Sequence, residues 1–239
     1  MNSIKKQARL AGLLYLLASI PAPFAWVYVP SKLIVTGDAT ATADRVRASE
    51  TLLRLGIVSE LTGLIIFIFV VLALYRLFMP VSEKHAVAMA ILLLISLPIS
   101  FVGVVNEIAS LILASGANFL SAFDQHQLDS LAYLFFRLHG QAIVVSQIFW
   151  GLWLFPFGIL VIRSGFIPRV LGYLLFIAAV GNIASSFSSL LPYAPFLDRF
   201  AGILALGELP ITFWLLIWGA KASGAAADSI TPSHSPVNV

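Results

Sequence analysis

Between Leu131 and Arg169 the chain reads LAYLFFRLHGQAIVVSQIFWGLWLFPFGILVIRSGFIPR, apolar for far longer than a soluble helix needs. About 20 apolar residues cross a bilayer core, and runs of that length recur along the whole sequence. Lipid offers the backbone no hydrogen-bond partners, so a crossing segment must satisfy its own N–H and C=O groups, as a helix does. A membrane barrel would instead show alternating runs of roughly ten residues. Composition agrees: 60% of the 239 residues are hydrophobic and 10% are charged, against roughly a quarter charged in a soluble domain. The expectation is an all-α membrane protein, six transmembrane helices in a bundle forming one domain over residues 1–220.

The expected spans cover residues 10–29, 55–78, 86–114, 133–162, 170–191 and 200–220. The first follows a basic start (Lys5, Lys6, Arg9) and contains Pro21 and Pro23, which kink or end it in its outer half. A basic start, a short apolar core and the small-residue stretch Pro21–Ala25 also fit a cleaved signal peptide. Apolar character resumes through Trp26, Tyr28 and Val29, which favours a retained span. Ser31–Arg54 reads as a solvated connector, the alternative being a short interfacial helix in this first outer loop, capped by Thr40 or Thr42. Ser115–Ser130 reads as a polar loop. The fourth run, from Leu131 to Ile162, would be about 48 Å long as a helix, so either it tilts or its first turns stand above the hydrocarbon. Gly56 and Gly63, and again Gly151 and Gly158, are seven apart and mark faces for close helix packing. Residues 221–239 read as a disordered cytoplasmic tail. No convincing internal repeat is found.

Six spans put both termini on one side. That side collects Lys5, Lys6, Arg9, Arg76, Lys84, Arg163, Arg169 and Lys221, and the other Lys32, Arg45, Arg47, Arg54 and Arg199. Basic residues favour the cytoplasmic face, so the termini are expected in the cytoplasm and the protein in a cytoplasmic (inner) membrane. In that topology the polar residues inside the spans fall in the outer half. Glu60, Asn106, Glu107, Arg137, His139, Gln141, Asn182 and Glu208 become candidates for one polar pocket, with Arg137 as its positive centre serving one or more glutamates.

Three readings of that cluster stay open. Buried ions are paired whether or not they do chemistry, so a purely structural network is one. A pocket that binds or transports a small ligand or ion, or a role as a membrane accessory protein, is the second, because ionisable groups within a membrane mark sites and pathways. The third is an intramembrane, metal-dependent hydrolase, since His139 with Glu60, Glu107 and Glu208 supplies metal-ligand types. Against the third, there is no His-Glu-x-x-His, no second intramembrane histidine and no Gly-x-Ser-x-Gly. No catalytic residue, metal or cofactor is therefore expected. The chain lacks cysteine, which excludes disulfides and thiolate chemistry, and no basic cluster points to nucleic acid. The lipid bilayer is the expected partner, and oligomeric state is not legible.

Several motifs occur in order: Arg9-Leu-Ala-Gly-Leu-Leu-Tyr15, Leu33-Ile-Val-Thr-Gly-Asp-Ala39, Leu53-Arg-Leu-Gly56, Ala73-Leu-Tyr-Arg-Leu77 with Pro80-Val81, and Ser164-Gly-Phe-Ile-Pro-Arg-Val-Leu-Gly172. Together they resemble the bacterial domain-of-unknown-function family numbered forty-three eighty-six, over nearly the whole chain up to about Ala220. The resemblance implies a bacterial multipass membrane protein. It implies no activity, so no residue role is carried over from it.

Overall fold

The computed structural model describes residues 3–190, 203–204 and 206–220. The expected tail 221–239, the loop 192–199 and the first residues of the sixth apolar run lie outside the described residues.

The chain begins with α1 (Ser3–Ser19), α2 (Pro21–Pro23) and α3 (Val29–Leu33), joined by a π-helical turn at Phe24–Tyr28. Pro21 and Pro23 have no N–H to give to the preceding turn, and a widened turn accommodates what they disrupt. The prolines therefore do not end the span, and Ser3–Leu33 continues through them.

Gly37 follows with φ of +83°, a left-handed conformation that only glycine adopts without strain. It turns the chain into α4 (Ala39–Ala48), capped by the Asp38 carboxylate, which accepts from the Ala41 N–H at 2.8 Å. The segment read as a connector thus contains a helix, and Asp38 rather than Thr40 or Thr42 caps it. Thr42 instead donates its hydroxyl to the Asp38 carbonyl at 2.7 Å. Arg47, near the end of α4, donates to Asp44 at 2.7 Å and to Asp129 at 2.8 Å. The bond to Asp129 holds its pKa above the ordinary guanidinium value.

Three long helices come next: α5 (Glu50–Phe78), α6 (Glu83–Ala114) and α7 (Gln125–Leu152). α7 starts well before the expected boundary at 133. A reciprocal cap fixes its start: Asp124 accepts from the Gln127 N–H at 2.9 Å, and the Gln127 side chain accepts from the Asp124 N–H at 3.0 Å. Asp129, read as a loop residue, is consequently helical and 1% exposed. α7 breaks at Trp153 and resumes as α8 (Leu154–Ser164). Pro156 accounts for the break, because it cannot donate to Leu152, the residue at which α7 ends. Finally come α9 (Arg169–Leu190) and, beyond a 3₁₀ turn at Leu206–Glu208, the short α10 (Leu209–Ile217).

Among the described residues, five helical segments are long and apolar enough to cross a membrane: Ser3–Leu33, Glu50–Phe78, Glu83–Ala114, Gln125–Ser164 and Arg169–Ser189. Of the sixth expected crossing, the described part is the shorter apolar helix Leu206–Ile217. The helical class stands, and a membrane bundle fits it. Large apolar side chains such as Val58, Ile65, Phe69, Val102, Val105 and Val170 point outward and are half exposed or more, which suits a surface bathed in lipid.

α6 packs along α7, α1 against α5 and α10, and α8 against α9. The last contact relies on paired glycines. A Cβ on Gly172 would come within 2.8 Å of the Gly158 carbonyl, and one on Gly158 within 2.9 Å of the Gly172 carbonyl. The Gly151–Gly158 face anticipated from spacing therefore packs on α9. Two apolar cores result. One gathers Tyr15, Phe78, Trp153 and Phe157 towards the N-terminal end of α1. The other gathers Leu33, Val46, Leu53, Leu97 and Phe136 towards α4.

Candidate functional site

Three of the expected residues come together within the α4-side core. Glu60 on α5, Glu107 on α6 and His139 on α7 each offer a ligand atom, all within 4.8 Å of one another. Glu60 and Glu107 are 4% exposed and His139 is 9% exposed. The imidazole Nδ1 lies 3.2 Å from the Gly103 carbonyl. A carbonyl only accepts, so Nδ1 carries the proton and Nε2 presents a lone pair. Nε2 stands 3.6 Å from Glu60 Oε2, and Nδ1 stands 3.8 Å from Glu107 Oε2. Both distances exceed a hydrogen bond. Glu107 Oε2 is fully buried with no hydrogen-bond partner among the described residues.

Gly103 matters for this geometry. With no side chain there, α6 comes close enough to α7 that an added Cβ would lie 3.0 Å from Ala142. The same interface is stitched by Ser100 and Ser146, whose hydroxyls are 3.1 Å apart, and by the Trp150 indole N–H, which donates to Ser96 at 3.1 Å.

A second polar group is built around Glu208. The buried Tyr15 hydroxyl donates to one of its carboxylate oxygens, and Asn182 Nδ2 donates to the other at 3.2 Å. Asn182 also donates to the Ala178 carbonyl. Asn182 and Glu208 thus join each other, and they are separate from the His139 cluster.

A cavity of about 410 Å³ connects the two groups. Glu60, Asn182 and Glu208 line it together with Tyr15, Phe67, Trp26, Trp150 and Trp153. Trp26 and Trp150 stack with centroids 5.3 Å apart and planes at 20°. The Trp26 indole N–H is turned towards Glu60 without reaching hydrogen-bond geometry. Among the described residues that line it there is no Lys, Arg or His. Val27, on the π-helical turn, also lines the cavity and is 67% exposed.

The other expected residues stand apart. Arg137 and Gln141 are exposed on α7, and Arg137 takes part in none of the ion pairs among the described residues. Helix geometry explains this. Residues two apart are about 200° apart around the axis, so Arg137 and Gln141 point away from the side that carries His139. Asn106 is half buried and donates to the Val102 carbonyl of its own helix at 2.9 Å. The positively charged centre assigned to Arg137 is therefore not found in the cluster. Tyr15, Trp26 and Trp150 were missed as site residues, although Tyr15 closes the first of the recurring motifs.

Residues 10–219 match the family described as "Domain of unknown function (DUF4386)". A protein of Archaeoglobus fulgidus, described only as uncharacterized, is 31% identical over 160 residues, covering 67% of this chain and 81% of that one. That relative is archaeal, whereas the resemblance had implied a bacterial protein. No solved structure matches. With 210 residues matched and the quoted motifs within or bordering them, the chain belongs to the family "Domain of unknown function (DUF4386)".

Proposed function

We propose that the protein binds, and carries within or across the membrane, a small amphipathic organic cation. The observation that carries this reading is the lining of the cavity: aromatic faces and two glutamates, with no basic side chain among the described residues. A cation over a tryptophan face gains about 2 kcal/mol or more once desolvated, and a carboxylate in a low-dielectric site favours a positive partner. The stacked Trp26 and Trp150 offer the first, and Glu60 and Glu208 the second. The volume suits a ligand of small-molecule size. Val27, exposed on the outer surface of the helix and lining the cavity, suits entry of a ligand that partitions into lipid first. In this reading the termini face the cytoplasm and the cavity lies in the outer half of a cell membrane.

A hydrolase acting through a side-chain nucleophile has no specific support, since the ring nitrogens of His139 face a carbonyl and two carboxylates. Titrating detergent-purified protein with benzyltrimethylammonium while following tryptophan fluorescence tests the proposal. Saturable quenching is expected, weakened at least tenfold in Glu208→Gln and in Trp150→Ala. Quenching that never saturates, or that survives both substitutions unchanged, would leave the polar groups as a structural network.

A further inference from the structure

We infer that Glu60, Glu107 and His139 form a binding site for a divalent first-row transition-metal cation, one donor from each of α5, α6 and α7. The argument begins with what the cluster lacks. Two carboxylates and an imidazole lone pair are buried together, all of them acceptors. The one basic side chain expected to balance them, Arg137, points elsewhere. Glu107 Oε2 has no hydrogen-bond partner among the described residues although its side chain is 5% exposed, and it is directed at His139. Unpaired buried carboxylates are costly, and coordination to a metal is one way they are accommodated, beside pairing with a positive group and neutralisation by a proton.

Geometry separates metal coordination from a hydrogen-bonded network. A hydrogen bond between Glu60 and His139 would bring oxygen and nitrogen to about 2.8 Å, but they are 3.6 Å apart. Ligand atoms about 2.1 Å from a shared ion lie about 3.4 Å apart at a tetrahedral angle and about 4.2 Å apart when opposite. Glu60 already stands 3.6 Å from Nε2, whereas Glu107 Oε2, 3.8 Å from the protonated Nδ1, has to swing its carboxylate towards Nε2 to complete the set. The histidine is also prepared for the role. Its Nδ1–H is held by the Gly103 carbonyl, the outer contact that metal-binding histidines use to fix the ring and aim Nε2. Two carboxylates neutralise a divalent ion, so the occupied site carries no net charge into the low-dielectric interior. One imidazole and two carboxylates suit zinc, manganese, iron or cobalt better than copper(I) or calcium.

The site is separable from the organic-cation cavity, because Glu107 and His139 do not line that cavity and Glu60 alone borders both. Tag-free protein in detergent, stripped with chelator, would be titrated with cobalt(II) as the probe and followed by visible absorption and elemental analysis. The expected result is one cobalt per chain with ligand-field bands, displaced by zinc. Glu107→Gln and His139→Gln should each weaken binding at least tenfold while leaving benzyltrimethylammonium binding intact. The chain has four histidines, so the triple variant His85→Gln, His126→Gln, His234→Gln leaves His139 alone. That variant should still bind one cobalt, and should show imidazole nitrogen coupling to copper(II) in pulsed electron spin resonance. This readout decides the matter even if the cluster variants fail to fold. Wild-type protein that takes up no cobalt at roughly 0.1 mM, binding that persists in His139→Gln, or loss of the imidazole signal in the triple variant would each overturn the site.

Discussion

The ion pair between Arg47 and Asp129 makes a sharp prediction, because it is the chief polar tie between α4 and the bundle. Asp129 is 1% exposed and Oδ1 accepts from both Arg47 at 2.8 Å and Gln125 at 2.9 Å. Replacing Asp129 with leucine removes both bonds at similar volume. Breaking a fully buried pair costs roughly 3–5 kcal/mol because a charge is left stranded. Here the remaining charge is not stranded: the Arg47 side chain is 31% exposed and keeps Asp44 at 2.7 Å. The cost should fall to that of a hydrogen bond to a charged group, about 1.5–3 kcal/mol. That amounts to a roughly 10- to 150-fold larger opening equilibrium for α4. Hydrogen exchange of the Ala39–Ala48 amides should accelerate by that factor in Asp129→Leu. A cycle with Arg47→Met should return a coupling above about 1 kcal/mol. Unchanged exchange in α4, or coupling below about 0.5 kcal/mol, would refute the view that this pair docks the helix.

Three further outcomes follow from other contacts. Gly172→Val should lower thermal stability in detergent by at least about 2 kcal/mol, because its side chain would meet the Gly158 carbonyl at 2.8 Å; a silent substitution would mean that α8 and α9 are not so close. Arg137→Leu should change stability by less than about 0.5 kcal/mol, since Arg137 is exposed and outside the ion pairs of the described residues; unfolding of the variant would restore Arg137 as a buried partner. A reporter active only in the cytoplasm should work when fused after Lys84 or Arg169 and fail between Asn118 and Ser130; the reverse pattern would invert the orientation.

The helices were legible in sequence because bilayer thickness demands a length, and that length is visible in the apolar runs. Their ends were less so. The start of α7 was signalled by Asp124 and Gln127, a reciprocal cap written in four residues, but the surrounding polar residues disguised it as loop. Asp38 was similarly hidden behind two threonines.

At the site, levels along the spans could be counted from the sequence and directions could not. That count put Glu60, Glu107 and His139 at one level, and the structure brings these three together. Arg137 and Gln141 share that level yet face outward, because depth counting ignores the turn of about 100° per residue. Where a helix is apolar all round, nothing in its sequence marks which aromatic residues face inward. Trp26, Trp150 and Tyr15 therefore emerged only from the packing.

The proposal that the cavity selects positive charge is tested most directly by comparing two ligands of one shape. Benzyltrimethylammonium and neopentylbenzene differ in having a charged nitrogen or a neutral carbon at the branch point. Calorimetric titration of the same protein with each should give a dissociation constant at least tenfold lower for the cation, about 1.4 kcal/mol. That preference should collapse when Glu60→Gln and Glu208→Gln are combined. Equal affinities, or tighter binding of the neutral ligand, would contradict the proposed function.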